Sequence, residues 1–148
     1  MVALGADHGG YLLKQEIKKY LEEKQIPYQD YGTENEQRTD YPIYAARVAK
    51  AIQNKECDTG ILACRSGYGM TVAANKFKGI RAANIWNEES AKFAKADDDI
   101  NVLVLPGDYI TLNEAICIVR NWLATEFKGG RYQERLEMVE EIEQENMK

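Results

Sequence analysis

The sequence predicts an α/β fold: an open parallel sheet with helices on both faces. Three observations predict it. Five short apolar runs alternate with longer segments whose apolar residues recur at three- and four-residue spacing. The third run, Thr59–Cys64, is apolar almost throughout, the pattern of a strand covered on both faces. A length of 148 residues suits one domain, 1–148, that buries roughly two-thirds of its unfolded surface.

Val2–Ala6 reads as the first strand. Leu12, Leu13, Ile17, Tyr20 and Leu21 then form a helical stripe. Pro27–Tyr31 is the second strand, ended by Gly32. A helix over Tyr44–Ile52 follows, with Pro42 near its start, where a missing N–H costs little. After the third strand come helices around Gly69–Lys76, Glu88–Ala96 and Thr111–Glu126. Between them lie strands at Ile80–Asn84 and Asn101–Leu105, the latter stopped by Pro106-Gly107. The pattern breaks at Gly129-Gly130. A last amphipathic helix then carries Leu136, Val139 and Ile142 on one side. This arm, residues 128–148, either folds back on its own domain or docks on a partner subunit.

The formal net charge is −5, unevenly placed. From Tyr132 to Lys148 six glutamates face only Arg135 and Lys148, whereas residues 1–131 hold 18 acids and 17 bases. Without a basic stripe, nucleic acid is not an expected partner, since cationic phosphate contacts dominate that affinity. The longest apolar runs, such as Ala115–Val119, fall far short of the ~20 residues a membrane span needs. No signal-peptide pattern precedes the run starting at Val2. Three scattered cysteines, Cys57, Cys64 and Cys117, point to a reducing cytoplasm rather than a disulfide framework. With His8 the single histidine, no zinc site of the usual spacing is expected.

In open α/β sheets ligands bind at the carboxyl ends of the strands. That rule selects Asp7-His8-Gly9-Gly10 after strand one and Cys64-Arg65-Ser66-Gly67-Tyr68-Gly69 after strand three. Gly67 and Gly69 allow backbone N–H groups to approach a phosphate, a carboxylate or an enolate-like oxyanion. Cys64 stands before a helix start and beside Arg65, both of which favour a thiolate. It is therefore expected to act as a nucleophile or a proton-abstracting base. The Cys-x5-Arg pattern of cysteine phosphatases fails, because the sixth residue after Cys64 is Met70. Arg131 and Arg135, four apart, share a helix face suited to clamping a phosphate. Asp97-Asp98-Asp99 closes the fourth helix, where acids oppose the helix dipole; a solvated turn is the plainer reading of the run.

Taken in order, Gly5-Ala6-Asp7-His8-Gly9, Tyr31-Gly32-Thr33, Thr39-Asp40-Tyr41-Pro42, Gly60-Ile61-Leu62-Ala63-Cys64, Ala73-Ala74-Asn75-Lys76, Gly79-Ile80-Arg81-Ala82, Asn101-Val102-Leu103 and Gly129-Gly130-Arg131 resemble one family. It is that of ribose-5-phosphate isomerase B and the galactose-6-phosphate isomerase subunits. The resemblance implies a three-layer α/β/α sandwich around a five-stranded parallel Rossmann-like sheet, with a C-terminal helical arm. It also implies an aldose–ketose isomerase of sugar phosphates, free of metal and cofactor, working through a cis-enediolate at a dimer interface. By position, Cys64 resembles the base that moves the proton between C1 and C2. Ser66 takes the place of a threonine that assists proton traffic. The backbone from Ser66 to Gly69 resembles the enediolate-stabilising loop. Asp7 and Tyr41 resemble sugar contacts, and His8, Arg131 and Arg135 the phosphate-binding set.

The chain departs from the family pattern at three places. Asp97-Asp98 replaces a histidine and asparagine, and that histidine is assigned to ring opening. Asp108 replaces an arginine that is often a phosphate ligand. Arg65 replaces the glycine after the cysteine. Two expectations compete: either Arg65 restores the cation lost at Asp108 and lowers the Cys64 pKa, or the sugar differs and Asp108 binds hydroxyls. A sheet that binds a sugar phosphate without turnover is the alternative of a different class. Because Asp97 precedes strand five, it falls at the sheet edge opposite Cys64. For both to act on one sugar, a homodimer or a dimer of dimers is needed.

Overall fold

The computed structural model describes residues 1–147; Lys148, the last residue of the acidic arm, lies outside them. Five parallel strands, β1 (Val2–Ala6), β2 (Tyr28–Asp30), β3 (Thr59–Cys64), β4 (Ala82–Asn84) and β5 (Val102–Pro106), form one sheet in the order β2-β1-β3-β5-β4. The helices are α1 (Tyr11–Glu23), α2 (Tyr41–Gln53), α3 (Tyr68–Ala74), α4 (Glu88–Asp98), α5 (Leu112–Ala124) and α6 (Arg131–Asn146). The α/β class is as expected.

Period-two alternation along the strands builds the two cores. Leu62, Val102 and Val104 face α2 and α3, packing with Tyr44, Ala45, Val48, Met70 and Ala74. Ile61, Leu103 and Leu105 face the other way, against Ile17, Leu21, Ile118, Val119 and Trp122. Each buried valine, leucine, isoleucine or methionine among them contributes about 1.5–3 kcal/mol relative to exposure. That explains why β3 and β5 read as continuous apolar runs.

The elements differ from the expectation in detail. The apolar run over 80–84 yields a shorter β4, because Gly79 at φ +81° and Ile80, bonded to the Phe77 carbonyl, belong to a turn. Helix α2 starts earlier, at Tyr41, with Pro42 in its first turn. Leu12 is exposed instead of joining the α1 stripe, and Lys14 is buried. The Lys14 ammonium satisfies itself by donating to both carboxylate oxygens of Asp30, at 2.7 and 2.8 Å, and to the Thr33 carbonyl at 2.7 Å. This ties α1 to the end of β2.

Helix α6 folds back on its own chain along one side. Leu136 is buried, and Glu143 accepts a hydrogen bond from Gly79 N–H at 2.9 Å. Met138, Val139 and Ile142 remain exposed. No described helix is long and apolar enough to cross a membrane.

Candidate active site

The strand order reverses between β1 and β3, which pair in register with Ala6 opposite Ala63. Such a switch point opens a crevice at the carboxyl ends of the two strands. The loops that leave β1 and β3 flank it. The first turns tightly: Asp7, nearly buried, accepts a hydrogen bond at Oδ1 from Gly10 N–H at 3.1 Å. A β-carbon on Gly10 would meet the Ala63 carbonyl at 2.1 Å, so only glycine lets α1 start this close to β3. His8 Nδ1 lies 3.2 Å from both the amide nitrogen and the carbonyl oxygen of Thr39. When Thr39 N–H donates to Nδ1, the neutral ring carries its proton on Nε2 and can donate there. Thr39 is braced in turn by Tyr44, hydroxyl to hydroxyl at 2.9 Å.

The second loop wraps Cys64. Its Sγ accepts a hydrogen bond from Gly67 N–H at 3.1 Å, and Gly67 takes the left-handed φ of +83°. Ser66 is half-buried, its Oγ accepting weakly from Tyr68 N–H at 3.4 Å. Gly69 faces the Tyr41 ring, which reaches over from the start of α2. Asp7, His8, Tyr41, Cys64, Arg65, Ser66, Gly67 and Gly69 therefore gather at one sheet edge.

The electrostatics of Cys64 correct the sequence reading. Burial pushes the thiol up from its ordinary value; Gly67 N–H opposes this, and the charge of Asp7 adds to the rise. The expected thiolate-favouring pair is weak for two reasons. Helix α3 is only seven residues long. Arg65 is exposed, its side chain running across Gly9, where a β-carbon would sit 2.6 Å from Arg65 Cγ. Solvent screens its charge. Asp108 is joined to Arg65 by a backbone bond, Asp108 N–H to the Arg65 carbonyl at 2.9 Å, and is also exposed.

The other predicted residues lie elsewhere. Asp97 and Asp98 end α4, at the amino edge of the sheet where the chain enters β5. The five residues of β5 separate that edge from Cys64 by about 16 Å. Asp97 Oδ1 is ion-paired with Lys128 Nζ at 2.8 Å. Arg131 donates to the Tyr132 hydroxyl at 3.2 Å. Three cations sit around the Tyr132 ring: Lys128, Arg131 and Arg135, at 5.0, 5.1 and 5.5 Å from its centroid. The hydrogen bond from Arg131, then the charges of Arg131 and Lys128, push the Tyr132 phenol down. One chain thus carries two polar and charged clusters on opposite edges of the sheet. Sequence reasoning missed Lys128 and Tyr132, although a lysine just before Gly129-Gly130-Arg131 signals the cationic cluster. It also missed Asn84, a polar residue ending an otherwise apolar strand.

A family model described as Ribose/Galactose Isomerase matches residues 2–139. The chain belongs to this family. It is 43% identical over 143 residues to ribose-5-phosphate isomerase B of Escherichia coli (strain K12), covering 97% of this chain and 96% of that relative. Among solved structures of the ribose/galactose isomerases, it is similar to ribose-5-phosphate isomerase B of Clostridium thermocellum. There the TM-score is 0.96 at 40% identity, with 97% of each chain covered. It is also similar to ribose-5-phosphate isomerase B of Mycoplasma genitalium with bound ribulose-5-phosphate, with TM-score 0.92 and 38% identity over 98% of this chain and 97% of that one.

Proposed function

We propose that this isomerase interconverts ribose 5-phosphate and ribulose 5-phosphate in the cytoplasm, with Cys64 as the base. The observation that carries the reading is Cys64 at the switch point, its Sγ held 3.1 Å from Gly67 N–H. The thiolate takes the proton from C2 of the open-chain aldose, leaving a cis-enediolate. Returning that proton to C1 gives the ketose, while Ser66 passes the hydroxyl proton between O2 and O1. N–H groups from Ser66 to Gly69 stabilise the negative charge as it develops, which lowers the barrier rather than merely tightening binding. Asp7 and Tyr41 hold sugar hydroxyls, and His8 and Arg65 face the phosphate from the same edge.

The second half-site comes from a second copy of the chain. Arg131 and Arg135 clamp the phosphate, and Asp97 and Asp98 meet the ring end of the sugar. Asp97 accepts the anomeric proton as the ring opens. Tyr132, acidified by its cations, is a group that can return a proton to the ring oxygen. The exposed face of Met138, Val139 and Ile142 on the arm supports assembly as a dimer or a dimer of dimers. The chain 1–148 acts as one domain within it.

Incubation with ribose 5-phosphate in D2O tests the reaction. Deuterium enters at C2 with the native protein and not with Cys64→Ala. Binding without exchange in the native protein would leave a binding module. The exposed Asp108 beside Arg65 favours one second reading, a shifted sugar. Comparing kcat/KM for ribose 5-phosphate, allose 6-phosphate, galactose 6-phosphate and free sugars decides between them.

A further inference from the structure

We propose that Asn84, at the end of β4, is a positioning residue that sets the acidity of Cys64 through the Ser66–Gly67 peptide. The inference rests on the role of Cys64 proposed above. Asn84 Nδ2 donates to the Ser66 carbonyl at 2.9 Å. That carbonyl shares its planar peptide with Gly67 N–H, which points the opposite way, to Cys64 Sγ at 3.1 Å. The amide of Asn84 therefore holds the orientation of the donor that faces the sulfur. Serial hydrogen bonds polarise one another, strengthening each by about 10–30%.

Three further observations separate this from ordinary packing. The amide orientation is determined, because a carbonyl only accepts, so Nδ2 must face the Ser66 carbonyl, which leaves Oδ1 against Gly67. Oδ1 is then buried without a partner among the described residues. An apolar side chain of the same shape would avoid the cost of that unpaired acceptor but would lose the donor to the Ser66 carbonyl. Gly67 is shaped to receive the amide: a β-carbon there would lie 2.2 Å from Asn84 Oδ1. The sheet fixes the donor from behind, with Asn84 in register opposite Val104 of β5.

Asn84→Leu keeps the shape and removes the donor; Asn84→Asp keeps the shape, removes the donor and adds a charge. Iodoacetamide alkylation of the full chain between pH 6 and 10, read at the Cys64 peptide by mass spectrometry, gives the thiol titration separately from Cys57 and Cys117. The expected result is an upward shift of about one pH unit in Asn84→Leu, tenfold less thiolate at a given pH, and a larger shift in Asn84→Asp. The rising limb of kcat/KM against pH moves by the same amount, with KM changed less than twofold. Native-like titrations in both variants overturn the proposal. So does a fall in kcat/KM with no movement of the limb, which marks a purely structural residue. Where circular dichroism shows Asn84→Leu unfolded, Asn84→Asp decides. Should Cys64→Ala retain C2 exchange while Asn84→Leu still shifts the thiol, the base assignment fails and the positioning role stands.

Discussion

The ring of Tyr41 lies against the backbone of Gly69 so closely that a β-carbon on residue 69 would stand 2.6 Å from Tyr41 Cζ. This contact joins the start of α2 to the loop around Cys64. Gly69→Ala must push the ring aside. Tyr41 is 40% exposed and moves cheaply, so stability changes by less than about 1 kcal/mol. Activity is more sensitive to displacement near reacting atoms, and kcat/KM falls about tenfold or more. Steady-state kinetics beside thermal melts check both halves of the statement; a variant that melts early with native kinetics contradicts it.

Cys64 predicts an unusual pH profile. The proposed base is the thiolate, and the thiol is pushed up by burial and by Asp7. The rate therefore rises with pH and keeps rising beyond the ordinary thiol range near ~8.5. Asp7→Asn removes the charge while keeping an oxygen to accept from Gly10 N–H, so the limb moves to lower pH whatever happens to its height. A limb that stays in place excludes Asp7 as a cause.

Complementation is the direct test of the site proposed to be shared by two copies. On that proposal Cys64→Ala and Arg131→Ala are each nearly inactive alone. Mixed, dissociated and reassociated at equal amounts, half the dimers are mixed, and each holds one intact site and one doubly defective one. Activity recovers to about a quarter of native. No recovery after verified subunit exchange places the whole site within one chain.

Lys14, 2% exposed, and Asp30 predict a stability cost with a pH signature. Burial opposes the charge on Asp30, but Lys14, the Gly32 N–H and Lys18 outweigh it and hold the carboxyl below its ordinary value. Asp30→Asn leaves the Lys14 charge buried with only the Thr33 carbonyl as a strong partner, at a cost of about 3 kcal/mol. Because the folded pKa is depressed, the native advantage is complete above the unfolded value near ~3.9 and shrinks as pH falls through the folded one. Lys14→Met with Asp30→Leu recovers much of the loss, since well-packed apolar groups need no pairing. Urea melts at pH 7 and pH 3 read both effects, and an equal cost at the two pH values counts against the ion pair.

The amino-acid sequence by itself determined the alternation of strands and helices, the two loops at the carboxyl edge and the family. Those features are local: apolar spacing, turn residues and short motifs are written in consecutive positions. Only the tertiary structure decided that the strand order reverses between β1 and β3, and that Leu12 yields its place to a paired Lys14. It also decided that burial, not Arg65 or the short α3, governs Cys64. Each depends on which groups from distant segments meet: Asp30 with Lys14, Asn84 with Ser66, Asp97 with Lys128. Desolvation in particular has no signature in a linear chain. A cysteine before a helix start and beside an arginine reads as activated until the surrounding layers are in place to withdraw the water.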